Sequence, residues 1–208
     1  MGMHIGLVAV QASVSDFVNA FTEVWPTREI VATEDGFVRE DEIWAWKDAN
    51  ERFVSAADWT KSDPGQEVYV ICQDGQWAVL MDFSYVLATD ENALGQLSMR
   101  FGSVVSFVVQ TTSGCAFFWN YESGELKRSI QSVDGEAELS GEALAQEAGI
   151  DIQHYYMNET EQLMQAFGLS KLEELLVPAT TVAIAVADRT DYSDLHVEAT
   201  AKPWWKFW

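Results

Sequence analysis

The sequence predicts an α+β fold, in which an antiparallel sheet of hairpins and a meander has helices packed on it. The meander is predicted between Val104 and Leu139, where four β-rich runs are separated by three glycine-containing turns. A separate hairpin is indicated by Asp74-Gly75 between two apolar runs, because glycine accepts the positive φ that tight hairpin turns need. Helical periodicity and capping residues around these runs predict the helices.

Polarity changes along the meander and predicts the positions of its strands in the sheet. The first two runs are apolar at almost every residue, whereas the next two are progressively more polar. Continuous apolar character is typical of a strand covered on both faces, and increasing polarity is typical of a sheet edge. Strands 104–112 and 115–121 are therefore predicted to be antiparallel neighbours in the interior of the sheet.

The N-terminal part of the chain predicts a strand, a helix and a region of mixed character. Residues 3–10 are almost wholly apolar, which favours a short buried strand. Ser15 can cap the helix that follows, in which apolar residues between positions 17 and 25 recur on one face until Pro26 ends it. Residues 37–47 combine aromatic side chains with a run of acids, which predicts an exposed strand pair carrying aromatics.

The middle of the chain is predicted to lead through a loop and a hairpin into the meander. Residues 48–58 predict a short helix, and residues 60–66 form the clearest loop of the N-terminal half. The hairpin around Asp74-Gly75 occupies residues 67–82. A helix capped by Asp90 then leads directly to the first strand of the meander.

Short helices and one strand are predicted after the meander. Each helix ends at a glycine or a proline, and together they cover residues 143–148, 158–167 and 170–176. A buried strand over residues 180–187 follows. The chain closes with the aromatic segment Pro203–Trp208, which is expected to pack back on the sheet, since exposed aromatic tails invite aggregation. The alternative is that this segment projects to a partner, because tryptophan is enriched in interface hot spots.

The predicted domain organisation is a single α+β domain over residues 1–208. The chain contains no repeat, low-complexity tract or interdomain linker, and its length suits one sizeable core. A division near residues 60–66 is the alternative, because that loop is the strongest break in the pattern.

The charge of the chain is its outstanding global feature. Thirty-three acids against twelve bases give a net charge of −21. A nucleic-acid-binding protein needs a basic surface to neutralise phosphates, and anionic membranes repel an acidic protein, so neither partner is expected. A basic protein partner is favoured through electrostatic steering of the encounter. The alternative is that the acidic surface only keeps the protein in solution.

The remaining composition predicts a cytoplasmic protein without metal or cofactor. Cys72 and Cys115 each lie in an apolar predicted strand, which favours buried, reduced thiols. Three histidines and the lack of a Cys-x-x-Cys pair leave too few ligands for structural zinc. Neither a phosphate-binding nor a dinucleotide-binding glycine motif occurs, and no basic leader or long apolar run indicates export or a membrane span.

Two groups of acids are candidate sites, and no catalytic residue is assigned. Between Ser129 and Ser170 there is no lysine or arginine, and such a block repels itself. Its candidate partner-binding residues are Asp134, Glu136, Glu138, Glu142, Glu147 and Asp151. The second candidate is the patch Glu40, Asp41, Glu42, Trp44 and Trp46. Aromatics beside two carboxylates would also suit a carbohydrate cleft, which keeps a small hydrolase as an alternative.

In size, acidity, hairpin-rich α+β pattern and the aromatic and acidic run from Glu40 to Trp46, the chain resembles the small acidic immunity proteins that bacteria encode beside secreted toxins. The resemblance implies a protein that binds a toxin domain, often a cationic enzyme, and blocks its active site. No residue role is transferred from that class. We therefore expect a non-enzymatic binding protein that neutralises a cationic toxin; a small hydrolase or an adaptor subunit are the alternatives.

Overall fold

The computed structural model describes residues 4–54, 60 and 64–190. Across these residues nine strands form one sheet and four α-helices pack on it, which confirms the predicted α+β class. The strands are β1 His4–Val10, β2 Arg28–Glu34, β3 Glu67–Asp74, β4 Trp77–Asp82, β5 Ser103–Gln110, β6 Cys115–Glu122, β7 Glu125–Val133, β8 Glu136–Gly141 and β9 Thr181–Asp188. The helices are α1 Val14–Val24, α2 Glu40–Asn50, α3 Glu91–Phe101 and α4 Met157–Ala166.

The sheet is antiparallel throughout and its strand order is β2-β9-β3-β4-β1-β5-β6-β7-β8. Strands from both sides of residues 60–66 pair with one another in it, since β1 pairs with β4 and β9 lies between β2 and β3. Within the described residues, β2 and β8 are the two edge strands.

Helices cover both faces of the sheet, so the central strands are buried on nearly every residue. The first face carries α1 and α3, whose Phe17, Phe21 and Leu97 pack on the sheet. The second face carries α2 and α4, represented by Ile43 and Leu163, together with several 3-10 turns. This double cover explains why β1, β4 and β5 are continuous apolar runs rather than alternating ones.

The predicted meander is confirmed. Strands β5 and β6 pair in the interior of the sheet, with Phe107 directly opposite Phe118. Both side chains are buried, and their ring centroids lie 5.1 Å apart. The two-residue turn Asp134-Gly135 has φ values of 52° and 82°, which match the type I′ turn that suits the twist of a hairpin. At the other hairpin the turn residues are Gly75 and Gln76, because Asp74 pairs with Trp77, so the predicted turn is displaced by one residue.

The largest departure from the sequence prediction is α2, which occupies the segment expected to form an exposed strand pair. Acids suit its first turn, where the backbone N–H groups are unpaired and the helix dipole is positive. The Glu42 carboxylate accepts hydrogen bonds from the N–H groups of Val38 and Arg39 at 2.9 and 3.2 Å. Ile43 is fully buried against the second face, and this tertiary contact anchors the helix.

Several smaller elements also differ from the expectation. Strand β2 was not predicted, and α1 is capped by Ser13 rather than Ser15. The helices expected at 143–148 and 170–176 are 3-10 turns, Ala145–Glu147 and Leu172–Glu174. A helix was expected over residues 48–58, but α2 ends at Asn50 and residues 51–54 are not helical. The rest of that helix and the segment Pro203–Trp208 lie outside the described residues.

Candidate functional site

The candidate site is built around the hairpin of β7 and β8. Strand β8 pairs with β7 without a register shift, from Arg128 opposite Gly141 to Val133 opposite Glu136. Its tip is tied to the neighbouring hairpin, because the Asp134 N–H donates to the Gly114 carbonyl oxygen at 3.1 Å. The increase in polarity along the meander predicts a sheet edge here, and β8 is an edge strand among the described residues.

The residues of β8 alternate between the two faces of the sheet. Leu139 lies opposite the buried Ile130, so Leu139 and Ala137 point to the second face, where Ala137 packs against the core. Glu136 and Glu138 therefore point to the first face. Helix α3 packs on β5, β6 and β7 on that face, and both glutamates are exposed.

Accessible apolar side chains lie next to these acids, Val133 on the first face and Leu139 on the second. An open cavity of about 670 Å³ is lined by Gln131, Val133, Asp134, Glu136, Ala137 and Glu138. Val133 is 49% exposed, and Leu139 is 39% exposed. We call the residues Val133, Asp134, Glu136, Glu138 and Leu139 the β8 edge surface. It combines three carboxylates with two accessible aliphatic side chains, a mixture suited to a protein partner that is both basic and partly apolar.

Glu147 does not belong to this surface, although the sequence placed it among the candidates. It is only 8% exposed, and its two carboxylate oxygens accept hydrogen bonds from Nε and Nη2 of Arg128, both at 2.8 Å. It also accepts the N–H of Leu144 at 2.9 Å, and Arg128 donates to the Gly141 carbonyl oxygen at 3.0 Å. This buried pair holds the segment after β8 against the sheet and is structural.

Among the described residues, no cation pairs with the acids on and next to the β8 edge surface. In the described ranges, Asp134, Glu136, Glu138 and Glu142 form no ion pair. The nearest base in the sequence, Arg128, is fully engaged by Glu147. Within residues 4–54, 60 and 64–190, no side chain compensates their charge, so among these residues it is open to a basic partner.

Asp151 and Glu142 flank the β8 edge surface. Glu142 directly follows β8 and is exposed. Asp151 precedes the 3-10 turn Ile152–His154, which packs beside β8. Its carboxylate lies 2.9 Å from Nδ1 of His154, and this hydrogen bond lowers the pKa of Asp151.

The second candidate patch lies elsewhere and is largely used by its own helix. Arg39 Nε donates to Asp41 at 2.9 Å, which lowers the pKa of that carboxyl, while Glu42 caps the helix. The Trp44 indole donates to Glu40 at 2.9 Å, and Trp46 is half-buried against the core. Helix α2 packs on β3 and β9, near the opposite edge from β8, so the two patches do not form one surface.

A second cavity, of about 570 Å³, bears on the hydrolase alternative. Its lining includes two carboxylates, Glu51 and Glu67, beside Phe83. Each carboxylate is held by a cation: Glu51 by Lys47 at 2.5 Å, and Glu67 by Arg28 at 3.0 Å. Both carboxylates are thus engaged in ion pairs within the fold.

Other kinds of site receive no support from the described part of the chain. It holds no group of three or more histidine, cysteine, aspartate or glutamate side chains that could bind a metal ion. None of its helices has the length and hydropathy needed to cross a membrane. Comparison of the chain with protein-family models, with curated proteins and with solved structures found no match. The features of the described residues that indicate a function are the charge, exposure and hydrogen bonding of the β8 edge surface.

Proposed function

We propose that this protein is a non-enzymatic binding protein that uses the β8 edge surface to bind a basic protein, most specifically a cationic bacterial toxin that it neutralises in the cytoplasm. The observation that carries the proposal is the exposure of Glu136 and Glu138, without any ion pair in the described residues, beside the accessible Val133 and Leu139. The toxin assignment is supported by the resemblance in size, acidity and hairpin-rich pattern to immunity proteins.

Uncompensated charge of this kind has a cost that a basic partner removes. Carboxylates on neighbouring positions repel one another, and the net charge of −21 adds to this repulsion. A cationic surface docking on β8 would exchange that repulsion for attraction and would be steered toward the site over distances of about the Debye length, roughly 8–10 Å at 0.10–0.15 M salt. The aliphatic side chains would lose water in the contact and slow dissociation.

The test measures binding of the purified protein to the cationic toxin domain encoded by a neighbouring reading frame. A triple variant, E136Q/E138Q/E142Q, removes three charges at the site while retaining side-chain volume. The matched control, E34Q/E173Q/E174Q, removes three exposed charges elsewhere. The site variant should slow association about tenfold at low salt and the control about twofold or less. Neutralisation of the toxin should weaken in parallel.

Two outcomes would contradict the proposal. If the control slows association as much as the site variant, only the net charge matters and the β8 edge surface is not the site. If the protein neither binds nor neutralises the cationic toxin domain at low salt, the binding function itself is wrong.

A further inference from the structure

The outer edge of β8, which no other described strand pairs with, indicates how a basic partner would be held. The inference drawn from it rests on the proposed function. We propose that β8 accepts an extended basic segment of the partner as an additional antiparallel strand. Such strand addition uses main-chain hydrogen bonds for affinity and alternating side chains for specificity. Three properties of β8 support it: backbone groups that no other described strand pairs with, different side chains on its two faces, and negative charge.

The outer edge of β8 carries backbone groups that lack a partner strand in the described ranges. In a hairpin with a two-residue turn, the closing pair exchanges both hydrogen bonds, and bonded and non-bonded pairs then alternate. Val133 and Glu136 form the closing pair of this hairpin. The backbone N–H and C=O groups of Glu138 and Ser140 therefore face β7. Those of Ala137 and Leu139 point outward. No backbone group among the described residues hydrogen-bonds to them.

The two sides of β8 would select different side chains in the added strand. Residues opposite one another in an antiparallel pair project to the same face. Partner residues beside Glu136 and Glu138 would project to the first face, where lysine or arginine is favoured by the carboxylates. Those beside Ala137 and Leu139 would project to the second face, where valine, isoleucine or threonine would contact aliphatic carbon. The preferred segment therefore alternates basic and β-branched residues.

The same chemistry disfavours a second copy of this chain as the occupant. Another β8 strand would bring two further glutamates beside Glu136 and Glu138, and like charges on paired strands are destabilising. Strand β2 of another copy contains acids at both Glu29 and Glu34, and its register is interrupted between Ile30 and Ala32. A basic strand without such a bulge is the complementary ligand.

The test uses the full chain and two capped synthetic peptides of identical composition, Lys-Val-Lys-Val-Lys-Val-Lys and Lys-Lys-Val-Val-Val-Lys-Lys. Both carry the same charge, but the first alone places its lysines on one side of a strand. It should bind about tenfold more tightly, as expected for cross-strand charge pairs with Glu136 and Glu138 together with apolar neighbours. Equal affinity of the two peptides would overturn strand addition.

Backbone methylation gives a second, independent measurement. In an antiparallel addition the valine N–H groups face β8 and the lysine N–H groups face away, so N-methylation of the valines should abolish the preference and N-methylation of the lysines should preserve it. Loss of binding on lysine methylation together with retention on valine methylation would contradict the proposed pairing.

The variant E136Q/E138Q separates the failure of this inference from the failure of the proposed function. If it weakens all peptides equally, the acidic surface binds basic ligands but not as a strand. If it changes the affinity of none, the β8 edge surface is not a binding site at all. Strand addition requires that it weaken the alternating peptide most, by about fivefold to tenfold.

Discussion

In the part of the chain that the structure describes, the sheet ends at β2 on one side and at β8 on the other, and these two edge strands differ in their regularity. Strand β2 is bulged, because its pairing with β9 shifts register between Ile30 and Ala32. Bulges twist an edge and interrupt the row of backbone groups that another chain could pair with. Strand β8 runs in unbroken register with β7 over its whole length. The bulge in β2 therefore disfavours pairing with an additional strand, whereas the regular backbone of β8 favours it.

The charges at the two edges differ in the same direction. At the β2 edge the buried Arg28 donates to Glu67 and to the Tyr69 hydroxyl at 3.0 and 3.1 Å and lies 3.4 Å from Asp188. Glu29 is paired with Arg189 at 2.9 Å. At the β8 edge the buried Arg128 is turned inward to Glu147, and Glu136 and Glu138 have no cation within the described residues.

The comparison shows that acidity alone does not mark a site in this protein. Both edges carry several carboxylates, but at β2 Glu29, Glu67 and Asp188 are paired with arginines. At β8 the arginine stabilises the segment behind the strand and leaves the outer acids unbalanced. Compensation of charge, rather than its amount, distinguishes the two edges.

The largest expected loss of stability follows from breaking the buried ion pair between Arg128 and Glu147. Glu147→Gln leaves the Arg128 guanidinium buried without its counter-ion, and removing one member of a buried pair costs about 3–5 kcal/mol. Urea unfolding followed by tryptophan fluorescence measures the loss. Glu142→Gln, at an exposed position, is the control and should change the free energy of unfolding by less than about 0.5 kcal/mol. Equal losses would mean that Glu147 is not anchored as the structure shows.

A smaller loss is expected at the β2 edge. Arg28→Met retains the aliphatic stem and removes the charge that binds Glu67 and Asp188, whose side chains are 42% and 17% exposed. Because water can solvate these carboxylates in part, the expected cost is about 1–3 kcal/mol. The same urea measurement applies. A loss greater than that of Glu147→Gln would reverse the order of the two edges.

The third prediction concerns a substitution that adds a cation to the β8 edge, as is found at the β2 edge. Glu138→Lys places a cation between the remaining acids and should slow association with a basic partner about tenfold at low salt, while unfolding changes by less than about 0.5 kcal/mol. Glu29→Lys makes the same charge reversal at the β2 edge and should leave association within about twofold. The rate constants are measured at about 50 and 500 mM salt, where the Debye length falls from roughly 14 to 4 Å and the difference should disappear.

The smallest expected effect is a difference in labelling between the two cysteine thiols, each of which lies two strands from an edge. Cys72 lies in β3, two strands from β2, and burial raises the pKa of its thiol to about 12. Cys115 begins β6, two strands from β8, and is half-buried rather than buried as the sequence predicted. A bulky thiol reagent at about pH 8 should label Cys115 first and Cys72 only on unfolding. Labelling of the Cys115→Ser variant before unfolding would contradict the burial of Cys72.

The sequence by itself determined the elements that depend on neighbouring residues. Continuous apolar runs and glycine turns specify the strands of the meander, because strand burial and turn conformation can be recognised from a few neighbouring residues. The increase in polarity toward β8 correctly predicted an edge. The segment that forms α2 was misassigned because Trp44 and Trp46 alternate as in a strand, whereas the decisive contact, Ile43 in the second-face core, is distant in sequence.

Only the tertiary structure decided which acids are available. Glu147 is indistinguishable from its neighbours in the sequence, and it is removed from the surface because folding brings Arg128, nineteen residues earlier, into a bidentate pair with it. The insertion of β9 between β2 and β3 likewise sets the second edge through pairing across most of the chain. Such outcomes depend on long-range geometry and on the cost of burying an unpaired charge, neither of which a local pattern of residues contains.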